Sequence, residues 1–154
     1  MPQQQPPQPP PQRPFANLES QEGFCSTYPA LRVITMPRDT NHYGVVFGGV
    51  ILSHIDQAGF VEARKHGNHR WVTVAIEEVV FHRPVRVGDV VNFWTRTTRT
   101  GTTSVGVHVL VQVERFETGD VEDVTEATLT YVAVDADGQP IPFLTAPTVS
   151  EESQ

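Results

Sequence analysis

Five valines alternate with other residues between Val105 and Val113. A period of two places all five on one face of a β-strand, so that one face of this strand is apolar throughout. Similar β-rich composition recurs in three other stretches: residues 71–82, 89–99 and 121–135. Because only short connections separate the four stretches, we expect an antiparallel meander.

One long helix is predicted before these strands, from Gly48-Gly49 onward. Residues 50–66 contain no proline and end in three cationic or titratable residues before Gly67, which is typical of a helix C-terminus. The segment is apolar on nearly all sides until Glu62. That pattern predicts a helix surrounded by other structure.

The order of elements defines the fold class. A short strand at residues 31–36, stopped by Pro37, precedes the helix, and the four long strands follow it without a repeat and without βαβ alternation. One long central helix wrapped by a curved antiparallel sheet of about five strands fits this order. This α+β architecture is the hotdog fold.

The two ends of the chain differ from its middle. Residues 1–14 hold seven of the 13 prolines and five glutamines. We predict a disordered Pro/Gln-rich arm over residues 1–17, a folded domain over 18–143, and a flexible tail over 144–154. The arm could also dock an SH3-type partner, although a solvated tail is the commoner case.

Charge, hydropathy and cysteine content exclude several classes of protein. The net charge is −7, so the basic excess that supports non-specific nucleic-acid binding is absent. No apolar run approaches the roughly 18 residues of a membrane span, and we recognise no signal peptide. Cys25 is the only cysteine, so no intramolecular disulfide can form. We therefore expect a cytoplasmic protein whose partners include neither nucleic acid nor a membrane.

Asp56 is the first candidate for chemistry, because it lies in the middle of the least polar helix. An unpaired carboxylate there would be costly. A structural Asp56 would bond a free backbone amide or a buried basic residue. A functional Asp56 would lie at a cleft, where partial desolvation raises its basicity. Taken alone, the residue leaves both interpretations open.

Two glycines at the predicted helix start are the second candidate. They leave amide N–H groups uncovered by side chains, so these groups can face an oxyanion or a phosphate, although such a pair is more often a tight turn. The pattern becomes far more specific with its neighbours included: Asp39-Thr40-Asn41-x-x-Gly44-x-x-Phe47-Gly48-Gly49-x-x-x-x-x-x-Asp56.

With this motif the chain resembles the acyl-CoA thioesterases of the hotdog superfamily, particularly the bacterial short- and medium-chain type and the related mammalian cytosolic enzymes. The resemblance covers about residues 33–140. Tyr43 departs from it, because many bacterial members have a second asparagine there. Four further segments match the family in order and spacing: Met36-Pro37, Val72-Thr73-Val74, Phe81-His82-Arg83-Pro84-Val85-x-Val87-Gly88-Asp89, and Gly101-Thr102-Thr103-Ser104.

The resemblance implies hydrolysis of acyl-CoA to a free fatty acid and CoA, without a metal or a separate cofactor beyond the coenzyme A of the substrate. Asp56 would act as general base or nucleophile, and Asn41 would assist from the adjacent protomer. The amides of Gly48 and Gly49 would stabilise the oxyanion. An open edge strand favours a homodimer, which in the family assembles further into a hexamer, a trimer of dimers.

A cationic middle segment could bind the coenzyme A phosphates. Seven of the eleven cationic residues lie between positions 64 and 99. They are either solvated strand edges or, as a group, phosphate ligands, with Arg83 and Arg99 as the candidates. The resemblance also places five residues beside the pantetheine or nucleotide portion: Thr73, Val74, Thr102, Thr103 and Ser104.

Two other functions stay open. A hotdog enoyl-CoA hydratase or dehydratase would use an Asp/His pair, for which His42 and His54 are available. A non-catalytic acyl-CoA-binding protein, or one that docks a partner through the arm, is less consistent with the presence of both Asp56 and Asn41. The spacing of the histidines and of Cys25 does not resemble a zinc site, and there is no Gly-x-Ser-x-Gly motif.

Overall fold

Residues 28–149 are described by a computed structural model of the chain. The predicted helix begins at Gly48, as expected, and its last predicted residues form a short 3-10 turn (Arg64–His66); another such turn precedes the helix (Pro37–Asp39). The remaining elements are all β-strands. In chain order the elements are β1 (Leu31–Ile34), α1 (Gly48–Ala63), β2 (Arg70–Phe81), β3 (Val90–Thr100), β4 (Ser104–Glu114) and β5 (Val121–Val134).

The five strands form one antiparallel sheet in the order β1-β3-β4-β5-β2. The predicted meander is confirmed for β3, β4 and β5, which pair in sequence. It is wrong for β2, which pairs with β5 instead of β3. The connection from β2 to β3 passes the start of α1, where the N–H of Val46 donates to the carbonyl of Val85 at 2.8 Å. It joins two strands that β4 and β5 separate in the sheet, so it does not close a hairpin.

The core lies between α1 and the sheet. All five alternating valines of β4 are completely buried, which confirms the predicted apolar face of this strand. They pack in one cluster with apolar side chains of the helix and of the neighbouring strands, among them Ile51, Ile55, Ala58, Phe93 and Leu129.

The sheet covers α1 on one side only, so the predicted wrapping is incomplete within one chain. Phe60 and Val61 of the helix are 38% and 41% exposed. Edge strand β2 carries Val74 and Ile76, which are 56% and 42% exposed. Among the described residues β2 pairs only with β5, so its other edge is open.

The residues after β5 return to the C-terminal end of α1. The buried His69 ring lies 2.7 Å from the carbonyl oxygen of Phe143 and 3.1 Å from the hydroxyl of Thr148. The boundaries at residues 17 and 143 stay predictions, and the arm, Cys25 and residues 150–154 lie outside the described residues. Between residues 28 and 149 no helix is long and apolar enough to cross a membrane. The expected cytoplasmic location stays a prediction.

Candidate functional site

Asp56 lies on the side of α1 that faces β2 and β5, and two hydroxyl groups hold its carboxylate. Oδ1 accepts a hydrogen bond of 2.5 Å from Thr73 and one of 3.2 Å from the hydroxyl of Tyr131. The same Tyr131 hydroxyl lies 2.7 Å from the backbone carbonyl oxygen of Asp56. A structural Asp56 was expected to bond a backbone amide or a buried base, and in residues 28–149 its side chain bonds neither.

Tyr131 reaches the helix only because residue 59 is a glycine. A Cβ added at Gly59 would lie 2.9 Å from two ring carbons of Tyr131 and closer still to the hydroxyl. Burial, together with the charge of Asp56, raises the pKa of the Tyr131 hydroxyl above its usual range, so this group stays a proton donor. Sequence reasoning missed both residues. A glycine inside an otherwise continuous helix was the available signal.

Thr73 contacts Asp56 through an irregularity of β2. The pairing of β2 with β5 shifts between Thr73 and Ala75, so the intervening Val74 has no partner in the β5 register. This bulge leaves Val74 exposed while the Thr73 hydroxyl reaches Asp56. Such bulges re-aim side chains at functional sites. Thr73 was expected beside coenzyme A, and its contact with Asp56 was not foreseen.

Asn41 lies in the loop before α1 and organises that loop. Its Oδ1 accepts hydrogen bonds from the backbone N–H groups of Tyr43, at 2.9 Å, and Val45, at 3.2 Å. Gly44 completes the turn with a φ of 77°, a conformation that favours glycine. Among residues 28–149 no acceptor binds the amide nitrogen of the Asn41 side chain, so this group is available as a donor. In the part of the chain that the structure describes, Asn41 makes no contact with Asp56.

Gly48 and Gly49 present two backbone amides at the start of α1. In the described part of the chain no side chain caps this helix start, and the next two amides, of Val50 and Ile51, both donate to the carbonyl of Phe47, at 3.0 and 3.4 Å. Among residues 28–149 no acceptor binds the N–H of Gly48 or Gly49. These amides lie at the positive end of the helix dipole, so they can bind an oxyanion.

The candidate residues occupy two different ends of the sheet. One end is where Phe81 pairs with Thr125, and the other is where Ser104 pairs with Val132. Phe81 lies eight positions after Thr73 along β2, which corresponds to about 26 Å of strand. A single chain therefore does not bring the two groups together. At the Phe81 end lie Asn41, Gly48, Gly49 and Arg83; toward the other end lie Thr73, Val74, Arg99, Thr102, Thr103 and Ser104.

The two candidate arginines are accessible but differ in their partners. Arg99 donates to the hydroxyl of Thr130 at 2.7 Å and lies 3.5 Å from Glu77, and half of its side chain is exposed. Arg83 is 3.8 Å from Glu122 and similarly exposed. Exposed ion pairs of this kind contribute little to stability, so both guanidinium groups can exchange these partners for a phosphate.

The histidines do not complete an acid/base pair with Asp56. The Nδ1–H of His54 donates to the carbonyl of Val50 at 2.9 Å, and the ring lies against Phe93. The ring of His42 lies against that of Tyr43, with the two ring planes tilted by 41°. Within the described residues neither ring contacts Asp56, and no group of three or more potential ligands is placed to hold a metal ion. The expectation of a metal-free and cofactor-free enzyme stays a prediction.

Comparison with known proteins extends this description. Residues 43–115 match the thioesterase superfamily. The chain is 43% identical over 116 residues to an acyl-CoA thioester hydrolase, YciA, of Salmonella typhimurium, across 73% of this chain and 87% of that protein. This similarity confirms the resemblance that the motif indicated.

Solved structures show the same fold. A hexameric hotdog fold thioesterase of Campylobacter jejuni superposes with a TM-score of 0.71 at 39% identity, covering 81% of this chain and 92% of the other. An aspartate-to-alanine variant of a hexameric broad specificity acyl-coenzyme A thioesterase superposes at 0.70 and 38% identity, covering 76% and 87%. The predicted hotdog fold is confirmed.

Proposed function

The chain belongs to the thioesterase superfamily and is an acyl-CoA thioester hydrolase, and from this premise we propose that it hydrolyses acyl-CoA to a fatty acid and coenzyme A at a site shared by two protomers. One observation carries the proposal: the carboxylate of Asp56 is fixed by two hydroxyls in the middle of an apolar helix. A carboxylate held in this way is suited to attack or to proton transfer.

The chemical step uses Oδ2 of Asp56. Both hydroxyls bind Oδ1, and no donor among residues 28–149 reaches Oδ2. As a general base, Oδ2 takes a proton from water while the water oxygen attacks the thioester carbonyl carbon. As a nucleophile, it attacks that carbon itself and forms a transient anhydride, which water then cleaves. In both routes the carbon–sulfur bond breaks and the proton ends on the thiol of coenzyme A or in solvent. No metal takes part.

The amides of Gly48 and Gly49 stabilise the oxyanion that forms on the carbonyl oxygen. They lie at the uncapped start of α1, where the helix dipole favours negative charge. Loss of one such donor typically costs about 2.7–4 kcal/mol of barrier height. Asn41 positions the attacking water or the carbonyl through its free side-chain amide.

A second protomer brings the two ends of the sheet together. Among the described residues β2 has an open edge, and its Val74 and Ile76 are exposed, as are Phe60 and Val61 of α1. Antiparallel pairing of β2 with a second β2 across a two-fold axis extends the sheet and covers these side chains. It also places the Phe81 end of one protomer next to the Thr73 end of the other. Asn41, Gly48 and Gly49 of one chain thereby approach Asp56 of its partner.

The same pairing assembles the coenzyme A site from two chains. Arg83 of one protomer moves toward Arg99 and Thr102–Ser104 of the other, so that two cations and several hydroxyls surround the nucleotide and the pantetheine. Val74 lies beside this path on the bulged strand. The hexameric state of the solved neighbours supports assembly of the dimers into a trimer of dimers.

The test is the substitution Asp56→Asn, followed by thiol release from acetyl-, hexanoyl- and palmitoyl-CoA. We expect the variant to fold normally and to lose at least a hundredfold in kcat, because the carboxylate that acts as base or nucleophile is removed. Glu62→Gln likewise replaces a carboxylate by an amide on the same helix. Glu62 is fully buried and accepts hydrogen bonds from the hydroxyls of Thr95 and Thr97. This control should lower stability but keep activity per folded molecule. An unchanged kcat in Asp56→Asn would contradict the proposal.

A further inference from the structure

A groove lies beside the proposed oxyanion amides. It has a volume of about 320 Å³ and runs between the first turn of α1 and the segment that follows β2. We call it the Phe81 groove. Its lining residues are Val45, Val46, Gly48, Ile51 and residues 81–85.

The floor of the Phe81 groove is apolar. Val46, Ile51 and Val85 line it, and each is at most 5% exposed. Phe81 stands at the rim with half of its surface exposed. The charged and titratable side chains of the lining, His82 and Arg83, are exposed. An apolar ligand with a polar head at the mouth fits this distribution.

The mouth of the groove adjoins the candidate reaction centre. The ring of Phe81 lies so near Gly48 that a Cβ added at Gly48 would be 3.3 Å from the ring. Gly48 itself lines the groove and also carries one of the two unpaired amides at the helix start. A carbonyl oxygen bound by that amide would have its attached chain at the groove entrance.

We propose that the Phe81 groove holds the acyl chain of the substrate and that the Phe81 ring limits the length of chain it accepts. The inference rests on the proposed function, because it takes the carbonyl oxygen to be bound at Gly48 and Gly49. A volume of about 320 Å³ is at the lower end for ligand pockets, so the groove favours short and medium chains. Each methylene that it buries should raise kcat/KM about fourfold.

The experiment compares three variants with acetyl-, hexanoyl-, decanoyl- and palmitoyl-CoA. Phe81→Ala opens the end of the groove, and we expect the ratio of kcat/KM for decanoyl-CoA to that for acetyl-CoA to rise at least tenfold. Phe81→Trp narrows it and should lower the same ratio. Phe116→Ala is the matched control, because it also removes a phenyl ring, but one that lies outside the groove. The Phe116 side chain is 77% exposed, more than that of Phe81. In Phe116→Ala the ratio of kcat/KM for decanoyl-CoA to that for acetyl-CoA should equal the wild-type ratio.

Two outcomes would overturn the inference. One is a chain-length profile that neither Phe81 substitution changes. The other is dissociation of the oligomer by Phe81→Ala in light scattering, with equal loss of activity on all four substrates, which would make Phe81 an interface residue. Failure of the proposed function looks different, since it would appear as full acetyl-CoA turnover in Asp56→Asn whatever the Phe81 variants do.

Discussion

Replacing Gly59 by alanine should disturb the position of Asp56 without touching the carboxylate. The added methyl would lie 2.9 Å from two ring carbons of Tyr131, and closer to its hydroxyl. Tyr131 is completely buried on β5, so its ring cannot swing out into solvent. Either the ring or the helix must move, and the hydrogen bonds from Tyr131 to the carbonyl and the carboxylate of Asp56 must lengthen.

The expected loss of stability follows from three contributions. Overpacking of a well-filled core costs about 1–3 kcal/mol. Weakening the Tyr131 hydrogen bonds adds about 1 kcal/mol. The better helix propensity of alanine returns about 1 kcal/mol. The net destabilisation is therefore about 1–3 kcal/mol, or a fall of about 1 M in the urea midpoint. Displacement of Asp56 should lower kcat at least tenfold, because catalysis is sensitive to small errors of position.

Urea unfolding at one protein concentration, with kcat measured on the same preparation, tests this expectation. Gly49→Ala is the matched control for stability, because nothing lies within 4 Å of a Cβ at Gly49. It should be neutral or stabilising by about 0.4–1 kcal/mol. Adding Tyr131→Phe to Gly59→Ala removes the closest contact and should recover part of the stability. If Gly59→Ala is as stable as Gly49→Ala and keeps its kcat, the reasoning about Tyr131 is refuted.

Two further predictions concern charges. Arg83→Ala and Arg99→Ala should raise KM for acyl-CoA more than for an acyl-pantetheine thioester that lacks the nucleotide, and equal effects would make both arginines structural. Burial is the main cause that lowers the pKa of His108 below 6.5, and the charge of Arg96 lowers it further. The charges of Glu126 and Glu78 act in the opposite direction but do not outweigh these two effects. The folded protein then binds fewer protons than the unfolded chain, so this contribution to stability is present above pH 6.5 and is lost as the pH falls below it. His108→Gln should flatten the dependence of the urea midpoint on pH between 7.5 and 5, and an unchanged slope would contradict this assignment.

The sequence was sufficient where a signal is local. The alternation of valines from Val105 to Val113 identified β4 and its buried face, since a period of two has one structural meaning over this length. The glycines before the helix and the motif that ends at Asp56 marked the candidate centre, whose catalytic role stays a prediction. Each of these patterns lies within about 20 residues of chain.

Contacts between distant segments could not be read in this way. The short β2–β3 connection suggested a hairpin. In the structure this connection instead bonds to the loop before α1, through the hydrogen bond from the N–H of Val46 to the carbonyl of Val85. The bond between Tyr131 and Asp56 joins residues 75 positions apart, and it depends on the missing side chain of Gly59. No periodicity reports such a pair.

Mixing two inactive variants tests the shared site most directly. Asn41→Ala and Asp56→Ala are each expected to have little activity. After subunit exchange, verified by light scattering and labelled chains, half of the dimers contain one chain of each kind, and one of their two sites has both residues intact. The mixture should therefore regain about a quarter of the wild-type activity. No recovery in a fully exchanged mixture, or a fully active monomer, would contradict a site built from two protomers.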